Sequence, residues 1–227
     1  MYAVILVAGL GTRMGELTQN CPKPMLKIKD SPKLAYSIEL LPDEITDVVL
    51  VVGYLSNQII DYFGDVFDNR KIHYIKQVEF NGTAGAIALT KDIVKNNFLV
   101  IMGDDLYDKK DLNKLMKYEQ SLLAYETNDA EQFGLVDIDT NSDLTDVIER
   151  PHGKKDGLVN TGAYMLSQKY LDIPMVRISE REYGLPQTLV SMYPKYKTKV
   201  VTTKKWQSIG SPEDLEIAQT RIEEFLN

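Results

Sequence analysis

Directly after its first apolar run the chain carries a loop rich in glycine and flanked by cations. The segment LVAGLGTRMGELTQNCPKPML holds Gly9, Gly11 and Gly15, with Arg13 and Lys23 among them. Glycine lets backbone N–H groups approach phosphate oxygens without an intervening Cβ. Arginine meets phosphate as a bidentate fork, and lysine adds fixed positive charge. Residue types and spacing together predict a polyphosphate cradle. Two other phosphate loops fit less well. A Walker A loop, G-x-x-x-x-G-K-[ST], is absent. GLGTRMG is closer to a dinucleotide fingerprint, but that motif needs a helix at once and an acidic residue ending the second strand. Here LTQNCPKPM breaks the helix with prolines, and the second strand ends in VVGY.

Such a loop needs a rigid sheet behind it. YAVILVA is a continuous apolar run, and DVVLVVGY and FLVIMGDD repeat the pattern; runs of this kind suit strands buried on both faces of a parallel sheet. KIHYIK reads as a shorter, more polar strand. Helical patterns lie between them. SPKLAYSIELL offers Ser31 as N-cap and Pro32 at the first helical position. LSNQIIDYFG ends on a C-capping glycine, and TAGAIALTKDIV opens after Gly82. The order predicts an α/β fold: a doubly wound, mostly parallel, Rossmann-like sheet over residues 1–120. Beyond that point SLLAYET, FGLVDIDT, LTDVIER and LVNTGAYMLS read as an antiparallel insertion. The tail SPEDLEIAQTRIEEFL reads as a helix capped by Ser211, with Leu215, Ala218, Ile222 and Phe225 on one face. One globular unit of 1–227 with two lobes, 1–120 and 121–227, is expected.

Composition narrows the partners. At 227 residues, 44% hydrophobic and 26% charged, the chain can bury a full core. Its 33 acidic residues outnumber 26 basic ones, and the net charge of −7 argues against a general nucleic-acid surface. A small anionic ligand held by local cations stays open. One cysteine, Cys21, excludes an intramolecular disulfide, and two scattered histidines, His73 and His152, make no zinc-type cluster. No apolar run approaches the ~18 residues of a membrane span. The start, with no basic n-region, reads as a core strand and not a signal peptide. A soluble, cytoplasmic protein without a membrane partner is expected; a homo-oligomer is left open.

The motif Leu6–Leu26 resembles the signature of the sugar-1-phosphate nucleotidylyltransferases, A-A-G-x-G-T-R-[ML]-x-P-L-T-x-x-x-P-K-x-[ML]. The spacing holds throughout, with Val7 for the first alanine and Glu16 where proline is usual. Later segments match in the family's order: QVEFNGTAGAI, VIMGDD, FGLV, IERP, VNTGAYML and WQSIGSPEDL. The resemblance covers residue 2 to about 220 and is to a short form without the C-terminal β-helix domain. It implies the nucleotide-diphospho-sugar transferase type of fold, with the antiparallel insertion binding sugar.

The chemistry implied is a displacement at phosphorus: a sugar 1-phosphate oxygen attacks the α-phosphate of a nucleoside triphosphate, and pyrophosphate leaves. By resemblance Ala8, Gly9, Gly11 and Thr12 hold the nucleotide. Arg13 grips the β- and γ-phosphates, Lys23 steadies charge around the α-phosphate, and Asp104 ligates Mg²⁺, a hard ion that prefers carboxylate and phosphate oxygens. Gln77, Gly82 and Thr83 form the nucleobase loop. An amide at Gln77 can donate and accept together, as a uracil or thymine edge requires, so UTP or dTTP is favoured over a purine nucleotide.

On the acceptor side the resemblance implies Gly134, Glu149, Arg150, Asn160 and Gly162, with Thr161 beside them. Glu149 would accept hydrogen bonds from sugar hydroxyls, and the two glycines would leave room for the ring. Trp206 and Tyr164 read as packing residues near the cleft, His152 as a solvated loop residue, and Cys21 as inert. Three departures stand out. Arg150 replaces a common lysine, Gln187 a frequent aspartate, and Ser208 the aspartate that usually supplies the second metal ligand. Asp105 or water would then compensate, or catalysis is lost. Two alternatives therefore stay open: the same fold with another acceptor, such as phosphocholine with CTP, and a nucleotide-binding regulatory subunit with weak catalysis.

Overall fold

The computed structural model describes residues 1–226. The chain opens with β1 (Tyr2–Val7), the glycine loop, a two-residue pair β2 (Lys27–Ile28) and β3 (Ser31–Pro32), and α1 (Lys33–Glu39). Next come β4 (Asp47–Val52), α2 (Ser56–Phe63), β5 (Val66–Phe67), β6 (Arg70–Lys76) and α3 (Gly82–Ala88). Then follow β7 (Phe98–Met102), β8 (Leu106–Tyr107), α4 (Lys109–Leu115) and β9 (Ser121–Thr127). The remainder is β10 (Gly134–Ile138), β11 (Leu144–Glu149), β12 (Gly157–Leu166), α5 (Leu185–Ser191), β13 (Lys199–Thr203), β14 (Trp206–Gln207) and α6 (Pro212–Leu226).

One sheet runs β11-β10-β12-β7-β1-β4-β6-β5, with β9 paired to β12 and β13. β7, β1, β4 and β6 are mutually parallel. Alternation along β1 sends Ala3, Ile5 and Val7 to one face, beside Leu34 of α1 and Ile59 of α2, and Val4 to the other, beside Ile87 of α3. Both faces are therefore helix-covered, and the near-continuous apolar strands follow from that. The antiparallel strands extend the same sheet: β12 pairs with β7 through Tyr164–Val100 and with β9 through Val159–Tyr125. β13 departs from that pattern and lies parallel to β9.

Two element boundaries differ from the sequence reading. Ser31 does not cap α1, because Ser31 and Pro32 pair with Lys27 and Ile28, and Pro32 itself takes the cap position. α3 ends at Ala88, before Thr90 turns its hydroxyl onto the Ile87 carbonyl. α6 starts as read: the Ser211 hydroxyl accepts from Asp214 N, and the Asp214 carboxylate accepts from Ser211 N at 2.8 Å. Its buried side packs Ala218, Ile222 and Phe225 against Ile209 and Leu106. Among the described residues no helix is long and apolar enough to cross a membrane.

Candidate active site

The carboxyl ends of β1, β6 and β7 reach the same edge of the sheet, where a parallel sheet leaves its crevice. A cleft of about 490 Å³ opens there. Ala8, Gly9, Gly11, Thr12 and Arg13 enter it from the loop after β1, and Lys23 from the short 3₁₀ turn at Lys23–Met25. Gln77 comes from the end of β6, Gly82 and Thr83 from the start of α3, and Asp104 from the end of β7. Every residue expected to bind nucleotide thus lines one cavity.

A second cavity of about 320 Å³ adjoins it and shares Arg13, Thr83, Met102 and Asp104 with the first. Gly134, Glu149, Arg150, Asn160, Thr161 and Gly162 line it, together with Tyr164, Trp206 and Ser208. The residues expected on the acceptor side are brought together as well.

Two glycines differ in what they need. At Gly82 φ is +89°, and a Cβ would run into the Tyr183 backbone. That close approach lets Tyr183 N donate to the Asn81 carbonyl and Ala84 N to the Tyr183 carbonyl. At Gly9 a Cβ would meet nothing within 4 Å. The protein itself makes no demand for glycine there, so the bare backbone is left for whatever enters the cleft.

Charge is concentrated where the cavities join. Lys23 is 7% exposed and forms an ion pair with the Asp104 carboxylate. Behind them sits Lys33, fully buried at 0% exposure, whose Nζ donates to the Asp104 backbone carbonyl at 3.4 Å. Burial opposes the charge on Asp104, but Lys23, Lys33 and Arg13 outweigh it and hold the carboxyl below the usual range. Burial pushes the Lys33 amine down and the Asp105 carboxyl up, while their attraction for each other opposes both shifts.

Asp105 lines the smaller cavity, but its carboxylate is engaged by the loop beside it. Its carboxylate accepts the Trp206 indole N–H at 3.1 Å and the Ile209 N–H at 3.2 Å, so it is buried as an anchor for the loop carrying Ser208. Asp105 and Ser208 both line the smaller cavity. Among the described residues no group of three or more His, Cys, Asp or Glu converges to hold a metal. Among the described residues Asp104 is the one carboxylate that lines both cavities. A single carboxylate suits an Mg²⁺ ion that takes its other ligands from phosphate and water.

Several polar side chains are already engaged. Gln77 Nε2 donates to Asn81 Oδ1 at 3.1 Å and to the Gly82 carbonyl at 3.3 Å. A carbonyl cannot donate, so the nitrogen must face it and the oxygen is left to serve as an acceptor. Asn160 accepts from Gly162 N and donates to the Tyr164 hydroxyl, so its amide braces the wall. Gly162 lines the cavity, but the space a Cβ would fill belongs to Met102. Gly134 lies across from Glu149, and a Cβ there would press on the Glu149 carboxylate at 3.2 Å. Gln187 Nε2 donates to Glu149 Oε1 at 3.2 Å, a contact an aspartate would turn into repulsion. His152 is exposed, and burial pushes the half-buried Cys21 thiol up, away from its nucleophilic form.

The sequence reading did not single out Lys33. The signal was its place among the apolar residues of KLAYSIELL. It also passed over Phe80, the one aromatic in QVEFNG, which lines the nucleotide cleft at 47% exposure.

The family model described as nucleotidyl transferase matches residues 2–224. The chain is 34% identical over 218 residues to a bifunctional protein GlmU of Methanocaldococcus jannaschii, covering 95% of this chain and 52% of that protein. It therefore spans about half the length of that relative. It is 36% identical over 218 residues to a D-glycero-alpha-D-manno-heptose 1-phosphate guanylyltransferase of Campylobacter jejuni, covering 94% of this chain and 96% of that one. Its fold is similar to the crystal structure of HddC from Yersinia pseudotuberculosis, with a TM-score of 0.79, 30% identity, and 97% and 99% of the two chains covered.

Proposed function

The chain belongs to the nucleotidyl transferase family, and from that premise we propose that it joins a nucleoside triphosphate to a sugar 1-phosphate, releasing pyrophosphate. One observation carries this reading: two adjoining cavities share Arg13 and Asp104, with Lys23 paired to Asp104 at their junction. An acceptor in the smaller cavity then faces the α-phosphate of a triphosphate in the larger one.

A sugar 1-phosphate oxygen forms the new bond to the α-phosphorus as the bond from that phosphorus to the β-phosphate oxygen breaks. The attacking oxygen is already anionic, so no general base is required. The chain's task is in-line placement and neutralisation of crowded negative charge. Gly9 and Gly11 offer bare backbone, Thr12 borders it, Arg13 takes the departing β- and γ-phosphates, and Lys23 turns to the α-phosphate. Asp104 would hold Mg²⁺ together with phosphate oxygens; the ion, when bound, withdraws charge from the oxygens around the reacting phosphorus.

For the base, the Gln77 oxygen supports a pyrimidine. A uracil or thymine N3–H needs one acceptor, and the start of α3 offers backbone N–H groups for the carbonyls beside it. UTP or dTTP is the reading adopted, and the guanylyl activity in the Campylobacter relative's name makes GTP the competitor. For the acceptor, Glu149 takes sugar hydroxyls and Arg150 a phosphate. Ser208, neutral where the family resemblance calls for aspartate, favours one second reading: a nucleotide-binding regulatory subunit.

The test is a panel of the common nucleoside triphosphates against several sugar 1-phosphates and phosphocholine, scored for pyrophosphate, with products identified by mass spectrometry. Nucleotide-sugar formation supports the transferase. Thermal stabilisation by a triphosphate with no pyrophosphate from any pair would put the regulatory subunit in its place.

A further inference from the structure

Where α5 meets β11, two side chains take up the space of two missing Cβ atoms. Gln187, on the first turn of α5, donates from Nε2 to Glu149 Oε1 at 3.2 Å. A Cβ at Gly184 would come within 1.9 Å of Gln187 Oε1, and one at Gly134 within 3.2 Å of the same Glu149 oxygen. The pair thus lies between two glycines, Gly134 opposite Glu149 in the pairing of β10 with β11 and Gly184 at the cap of α5. The amide has one workable orientation: turned over, its oxygen would face the carboxylate and no hydrogen bond would form. In the orientation it takes, Gln187 Oε1 is buried without a hydrogen-bond partner among the described residues. An unpaired buried carbonyl costs stability, and an apolar side chain of similar length would avoid that cost. Packing alone therefore gives no reason for the amide. Glu149 is exposed and lines the smaller cavity, as Pro186 does; Gln187 is half-buried and, among the described residues, stands outside that lining.

We propose that Gln187 is a positioning residue for the acceptor: it holds one oxygen of the Glu149 carboxylate and so fixes the other for a single hydroxyl of the acceptor. Gln187 touches no substrate and acts through Glu149. The inference rests on the transferase reading, which makes a sugar 1-phosphate the acceptor, and deepens it at that cavity. An exposed glutamate at a strand end samples several rotamers, and ordering it at the moment of binding costs affinity. A tether already made in the free protein removes that cost. With Oε1 accepting from the amide, the carboxylate meets one hydroxyl at a defined place and does not clasp two neighbouring ones. Aspartate in place of Gln187 would set two anions against each other and offer no donor.

The test has two arms, both on the full chain. The first reads the Gln187 side-chain amide in proton–nitrogen correlation spectra, assigned by its loss in Gln187→Met. Glu149→Ala is expected to shift that signal. An unmoved signal overturns the inference, since the amide then does not sit on the carboxylate. The second arm takes the triphosphate and sugar 1-phosphate pair that releases most pyrophosphate. Gln187→Met is expected to raise the acceptor KM about three- to tenfold and to leave kcat and the triphosphate KM within about twofold. In a Glu149→Ala background the same substitution is expected to change the acceptor KM by less than about twofold, because nothing is left to position. An acceptor KM that does not rise in the otherwise unmodified chain overturns the inference. So does a rise of equal size in both backgrounds, which is what a merely structural role would give. If Gln187→Met does not fold, Gln187→Glu, which keeps the shape and loses the donor, is read in its place. If no pair releases pyrophosphate, the transferase reading fails and the acceptor role of Gln187 falls with it. Turnover with an acceptor KM indifferent to Gln187 leaves the transferase standing and removes this inference alone.

Discussion

Trp206 donates its indole N–H to the Asp105 carboxylate at 3.1 Å, across a separation of 101 residues. The Ile209 N–H joins it at 3.2 Å. Of two adjacent aspartates, Asp104 lines both cavities and pairs with Lys23, and Asp105 lines the smaller one and ties its wall to the end of β7. Asp105→Asn puts an amide N–H against one of those donors. It is expected to cost about 1–3 kcal/mol of stability, measured by urea unfolding, and to raise the KM for the acceptor more than that for the nucleotide. An unchanged urea midpoint would show that the loop is held by its apolar contacts instead.

Lys23→Ala is expected to lower pyrophosphate release by about 10²–10³ while the circular dichroism spectrum is retained. Lys23→Arg should not restore it, because the planar fork cannot replace a compact ammonium in a site only 7% exposed. Turnover near the unmodified rate in a coupled assay would remove Lys23 from the reaction.

The two glycines should separate folding from binding. Gly82→Ala is expected to destabilise by about 1–3 kcal/mol, since φ is +89° and the Tyr183 backbone fills the space. Gly9→Ala should leave stability within about 0.5 kcal/mol and raise the triphosphate KM about tenfold or more, equivalent to roughly 1.4 kcal/mol. Thermal unfolding and initial rates check both. A Gly9→Ala variant that unfolds early but binds normally would reverse the assignment.

Away from the cleft, Asp143 is 4% exposed and pairs with Lys199 at 2.7 Å and Lys197 at 3.0 Å. The hydrogen bond from Lys199 is the first cause holding its carboxyl below the usual range, and Lys197 adds to it. A depressed folded-state pKa stabilises above the unfolded value, about 3.9, and that contribution is lost as pH falls through the folded value. Asp143→Asn is therefore expected to cost about 1 kcal/mol at pH 7, discounted for the exposed lysines, and to flatten the acid limb of a stability–pH curve below about pH 4. Parallel acid limbs in both proteins would exclude the ion pairs as its cause.

Much of this was legible in order along the chain. Apolar runs predicted β1, β4 and β7 because strands buried on both faces need no polar alternation. Gly9 through Lys23 stood out together because they are local in sequence, and they line one cleft. What stayed hidden was non-local. Asp104 and Asp105 are neighbours of one type, and nothing in GDD tells which carboxylate meets Trp206 and which meets Lys23. Lys33 carried no sequence signal beyond its apolar neighbours; the reach from α1 to the end of β7 is set by packing. Ser31 looked like an N-cap by type, but its short pairing with Ile28 came first.

β7 is hydrogen-bonded on both edges, parallel to β1 on one side and antiparallel to β12 on the other. It is the seam between the half of the sheet that carries the glycine loop and the half that carries Glu149. Asp104, just past the carboxyl end of that strand, therefore has one half of the sheet to either side of it, and the two adjoining cavities meet there.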